Sequence, residues 1–137
     1  MVFALCFAAP CQAALGADLA SVQADQQAWA ASATQADVAG STLHTQALPE
    51  GLVVRQYVDT SGRVFAVAWS GPVLPDFARL LGTYYAVYAD AVHRQKRSVS
   101  VRRADVVMES GGMMRAFHGR AYLPALLPFG LTDKDVR

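Results

Sequence analysis

Between Thr42 and Ser70 the apolar residues repeat with a period of two, and compact turn sequences cut the stretch into short pieces. Leu43, Thr45 and Ala47 alternate as in a strand that stops at Pro49-Glu50-Gly51. Leu52 to Val58 (LVVRQYV) is dense in the β-branched and aromatic residues that suit a pleated surface. Asp59-Thr60-Ser61-Gly62 follows, with an Asp able to bond its own backbone and a Gly that tolerates positive φ. Arg63 to Trp69 (RVFAVAW) reads as a third strand, with Phe65, Val67 and Trp69 facing one way and Val64, Ala66 and Ala68 the other. The economical reading is a three-stranded antiparallel meander.

Helical periods flank this meander. Leu19, Val22, Gln26, Trp29 and Ala33 recur at three- and four-residue spacing, which predicts a helix over 18–33 with Asp18 as its cap. Gly40 and Ser41 break that pattern. After Gly71-Pro72, Leu74, Phe77, Leu81, Tyr84, Tyr88 and Val92 form the strongest helical stripe in the chain, with Pro75 and Asp76 in its first turn. Gly82 lies inside that stripe and costs about 1 kcal/mol relative to Ala there, so a close backbone neighbour is expected. His93 to Arg103 reads as a loop, and Val99 is where a strand can begin. Asp105–Glu109 and Met113–Leu123 are expected to pair through a hairpin turn at Ser110-Gly111-Gly112. Pro124 and Pro128 end regular structure, and Thr132 stands three residues before Asp135 as a cap for one last turn. The sum is an α+β domain: a mainly antiparallel sheet of about five strands with two helices packed on one face, in the order α-βββ-α-ββ.

The first fourteen residues, MVFALCFAAPCQAA, hold no ionisable side chain except two thiols. Their apolar run is too short for a bilayer, which needs ~20 residues. It fits the apolar region of a secretory signal, with Pro10 breaking the helix and cleavage after Ala13. A positively charged start is missing, which reads either as a start codon lying upstream or as inefficient export. Residues 1–13 are therefore expected to be a signal peptide and 14–137 a single domain. Cys6 and Cys11 leave with the signal, so thiol catalysis and thiolate metal sites are not expected. The expected location is the periplasm of a Gram-negative cell.

Charge is unevenly spread. Residues 1–50 carry four acidic side chains and no Lys or Arg, so all 12 basic residues lie beyond them. Arg94, Lys96, Arg97, Arg102 and Arg103 fall in one short stretch, a candidate surface for an anionic polymer. In an exported protein, nucleic acid is the least suitable of such partners; an envelope protein or anionic envelope polymer suits better. His118, Arg120 and Tyr122 stand at i, i+2 and i+4 on the last strand, hence on one face, where an Arg fork can grip a carboxylate or phosphate. The same row also suits the wet face of an antiparallel sheet. His44, His93 and His118 lack the spacing of a helical metal site, no phosphate loop or nucleophile elbow is present, and neither metal nor cofactor is expected. Tyr84, Tyr85 and Tyr88 with Trp69 and Phe77 read as core, or as the lining of an apolar cavity.

Three segments, ALGADLASVQAD, LPEGLVVRQYVDTSGRVFAVAWSGPVLPDFARLLGTYY and VVMESGGMMRAFHGRAYLPALLPFGL, resemble a family of exported proteobacterial proteins catalogued as a domain of unknown function. The resemblance covers nearly all of 14–137 and is most specific over Val64–Gly71 with Pro75-Asp76. It implies export and one domain, and it carries no activity, cofactor or site residue with it. The leading expectation is a periplasmic, non-enzymatic binding module. The alternatives are a hydrolase-like enzyme using His118 with Arg120, and an assembly factor or chaperone with an apolar groove beside the tyrosine helix.

Overall fold

The computed structural model describes residues 15–95 and 98–137. The signal peptide expected over 1–13, with Cys6 and Cys11, lies outside the described residues, as do Lys96 and Arg97. Helix α1 (Leu19–Ala28) is followed by strands β1 (Ser32–Val38), β2 (Ser41–Ala47), β3 (Val53–Val58) and β4 (Val64–Gly71). Helices α2 (Phe77–Leu81) and α3 (Tyr85–Gln95) lead to β5 (Val99–Arg102), β6 (Val107–Met113) and β7 (Ala116–Tyr122). The strands form one antiparallel sheet in the order β1-β2-β3-β4-β7-β6-β5. No helix among the described residues is long and apolar enough to cross a membrane.

The class is α+β, but the sheet has seven strands rather than about five. One extra strand is β1, whose first residues were expected to close the first helix. Six of its seven residues are exposed, so no apolar alternation marks it. It exists through pairing with β2 across the two-residue turn Ala39-Gly40, both at positive φ (47° and 79°), which suits the twist of a hairpin. The other is β5, a four-residue strand at the opposite edge. The expected single helix after Pro75 is two, because Gly82 (φ 54°) interrupts it instead of packing inside it. The hairpin turn lies at Met114-Arg115, with Arg115 at φ 63°, and Ser110-Gly111-Gly112 is strand.

Helices α1 and α2–α3 cover one face of the sheet, as expected. There Val54, Val67, Trp69, Met108 and Ala121 pack against Val22, Leu80, Leu81, Tyr88 and Ala91. Trp69 meets Phe77 edge-on at 5.2 Å, and Phe77 meets Tyr88 at 4.5 Å. The tyrosine cluster therefore divides: Tyr88 is core and Tyr85 is exposed. The opposite face is covered by the strap 123–137, whose Leu131 and Val136 pack with Tyr57, Phe65, Ala66, Ala68 and Tyr122. Phe65 and Val64 have exchanged the faces that simple alternation assigns them. The cause is a register shift at Tyr57/Val58, which rotates the entry to β4 before Ala66 restores the alternation.

Local chemistry holds the connections. Asp59 Oδ1 accepts from the backbone N–H of Ser61 and Arg63 (2.9 and 3.0 Å) and from the Ser61 hydroxyl (2.6 Å). Partial burial pushes that carboxyl up, but these bonds, the Ser61 hydroxyl foremost, hold it below the usual carboxylate range. At the far end Thr132 and Asp135 form a capping box, so the expected last turn is present as a short 3₁₀ turn over Asp133–Asp135.

Candidate functional site

The strap face carries a groove of about 880 Å³ bordered by β3, β4, β6, β7, the start of β5 and the end of the strap. Its floor follows from the register. One row across the sheet runs Arg55, Ala68, Arg120, Glu109, Ser100; the next runs Val53, Ser70, His118, Gly111. Small residues at 70 and 111 leave space above the strands, and the long side chains of Arg55, Glu109 and Arg120 border it. Gly119 serves the other face: a Cβ there would lie 2.6 Å from Trp69 Cε2 and 2.8 Å from the Glu109 carbonyl oxygen.

Three residues expected on one strand face are indeed on it, with different fates. His118 is exposed, lines the groove, and has no hydrogen-bond partner among the described residues. Arg120 lines the groove too, but its guanidinium is engaged by the protein. Nε and Nη2 donate to Glu109 Oε2 (3.0 and 2.8 Å), and Nη1 donates to the carbonyl oxygens of Asp133 and Val136. It acts as a clasp that ties the strap to β7. Tyr122 is buried under Leu131 and Val136, so it faces core rather than ligand.

The basic stretch is dispersed. Arg94 pairs with Asp90 on α3 (2.6 Å), Arg102 with Glu109 (2.9 Å) and Arg103 with Asp105 (3.0 Å). These pairs are largely exposed, and their charges are offset by their own neighbours. Lys96 and Arg97 lie outside the described residues.

The cations that do converge come from elsewhere. Arg55 of β3, Lys134 and Arg137 line the groove, and none of them is in an ion pair among the described residues. Arg137 only biases its neighbour Asp135, which the Thr132 N–H and then the Thr132 hydroxyl hold below the usual carboxylate range. In the sequence Arg55 shows as the one charge in a strand otherwise apolar except for Gln56. Lys134 and Arg137 carry no such signal, because only the strap's path brings them to β3.

His44 is a second polar feature, on the helix face. It is buried, its Nδ1 lies 3.2 Å from Gln35 Nε2, and burial holds its pKa below the ordinary histidine value. Beside it Gln46 donates to the Val22 carbonyl (3.0 Å) and to Gln56 Oε1 (3.2 Å). This row fastens α1 to the outer strands. Among the described residues no group of three His, Cys, Asp or Glu side chains is placed to hold a metal ion.

Comparison with known proteins adds one match. The sequence model of a family described as "protein of unknown function (DUF2844)" matches residues 11–136. No curated protein and no solved structure matches the chain.

Proposed function

The chain belongs to the DUF2844 family, whose description assigns no activity, and we propose that it is an exported, non-enzymatic binding module that takes an anionic ligand in the strap-face groove. The observation that carries this reading is the convergence of Arg55, Lys134 and Arg137 on one concavity without ion-pair partners among the described residues. Gathering like charges costs self-repulsion, and an anion relieves it. The Arg forks suit a carboxylate or phosphate, which they can bind bidentately. The groove's volume falls within the ~300–1,000 Å³ range of small-molecule sites. Export rests on the apolar, uncharged opening of the sequence with Pro10 and a small-x-small site. Mass spectrometry of native material should find Met1 removed; retained Met1 would overturn the export reading.

The binding test is an NMR titration of the purified protein with inorganic phosphate at low and high salt. Shifts are expected at Ser70, Gly111 and His118, weakened by salt, with affinity lost about tenfold in Arg55→Ala with Lys134→Ala. Equal, salt-insensitive binding by wild type and variant would sink the reading.

One observation favours a hydrolase as the second reading: Ser70 is the direct cross-strand partner of His118, and both line the groove. A nucleophile–base pair needs a third group to orient the base, and Glu109 is occupied by Arg120 and Arg102. Ester hydrolysis that copurifies with the protein and vanishes in Ser70→Ala would establish this reading in place of the first.

A further inference from the structure

We propose that the groove's ligand is an amphipathic anion, its charged head on the strap face and its apolar chain in a slot on the helix face. The proposal rests on the anion-binding reading above and names the class of ligand. The slot is a second cavity, of about 160 Å³, walled by Leu74, Tyr88, Val92 and Phe117. Groove and slot share Trp69, Val99, Ser110, Gly111 and His118 as walls, so they meet at the sheet instead of lying apart.

The meeting point has a structural cause. Strand β5 begins at Val99, opposite Ser110, so Gly111 and Gly112 of β6 have no strand beyond them among the described residues. They have no side chains either. Among the described residues, the two faces are separated here by the backbone of Gly111 and Gly112 with the small Ser98 side chain beside it. A chain whose head is held by Arg55, Lys134 and Arg137 can run past His118 and bend round that edge toward the helices.

Two further observations give the slot its chemistry. Its mouth is apolar and open, with Leu74 54% and Val92 40% exposed. In its wall Trp69 is 2% exposed, and its indole N–H has no hydrogen-bond partner among the described residues. A buried indole N–H ordinarily finds an acceptor; this one is enclosed by its own packing, so a ligand oxygen reaches it only if the indole shifts. Tyr88 and Ser110 bond each other nearby (3.2 Å), and the hydroxyl that accepts in that bond keeps its own hydrogen for a polar atom entering the slot.

The chemistry is that of an acyl or alkyl chain with an anionic head, whether free or part of a membrane lipid. Calorimetry of the purified protein with inorganic phosphate, with monomeric alkyl phosphates of increasing length, and with phosphatidylglycerol vesicles separates these cases. Affinity is expected to rise about fourfold per added methylene until the slot is filled. Leu74→Asp or Val92→Asp, both at exposed positions, should each remove that gain. Vesicle binding lost in Leu74→Asp assigns a membrane lipid; binding of the monomeric alkyl phosphates alone assigns a free amphiphile. An affinity independent of chain length, or a gain that both variants retain, overturns the proposal and leaves the anion groove standing. Failure of every probe to bind overturns both.

Discussion

The helix face and the strap face share the same strands but are closed by different means. On the helix face, large side chains from three helices interlock around Trp69, and Gly119 is bare to let the indole lie flat against β7. On the strap face, fifteen residues without regular strand or long helix cover only the Tyr57–Phe65–Tyr122 end. They are held by one guanidinium clasp, by the Leu123 N–H donating to the Phe65 carbonyl, and by the Tyr57 hydroxyl, which donates to the Asp135 carbonyl at 3.1 Å. Beyond the clasp the floor drops to Ser70 and Gly111, and the groove opens. A sheet can thus keep one face for stability and release part of the other for binding, since close packing needs volume that small residues do not supply.

Substitutions can break this contrast. The largest effect is expected from Trp69→Ala, which empties the middle of the helix-face core and should cost about 3–5 kcal/mol in urea unfolding. Exchange protection should fall across the whole sheet. Arg120→Ala comes next, at about 1–3 kcal/mol, because it strips Glu109 Oε2 and two strap carbonyls of their donor, leaving Glu109 only its bond from Arg102. Its lost protection should be confined to the strap and the adjoining ends of β3 and β7. If Arg120→Ala instead loosens every strand equally, the two faces do not behave as separate layers.

The smallest effect concerns pH and sharpens the helix side. His44 is kept neutral by burial, with its pKa below the ordinary value near 6.5. The unfolded chain takes up a proton as pH falls through that value, while the folded chain resists until its own lower pKa. Stability from this group is therefore full above the unfolded value and declines as pH falls toward the folded one. Urea midpoints at pH 7 and pH 5 should differ more for wild type than for His44→Gln. An equal difference would remove His44 as the cause.

Legibility followed burial. β4 stood out because a strand buried on both faces must be filled with apolar residues, β3 because β-branched and aromatic residues surround Arg55 and Gln56, and Asp59 to Gly62 marks the turn between them in its own chemistry. β1 was invisible for the opposite reason: it buries only Val38, and that in part, and it is a strand because β2 pairs with it. Gly111-Gly112 misled because Gly-Gly marks a turn in most hairpins. Here Gly112 is needed within β6, where a Cβ would come 2.8 Å from the Phe117 Cα, and Arg115 takes the left-handed position instead.

The candidate site was half legible. His118, Arg120 and Tyr122 share a face, as a period of two requires. Whether that face is wet is decided along its length by where the strap lies, and the same strap brings Lys134 and Arg137 to Arg55.

Alternation and turn chemistry are local properties, carried by neighbouring residues whatever the rest of the chain does. They determined the meander, the class and the direction of each side chain on β7. What covers a face, which cations remain without counter-charges and where a floor lies open depend on contacts between segments distant in sequence. Those contacts exist only once the chain has closed on itself, and the groove belongs to them.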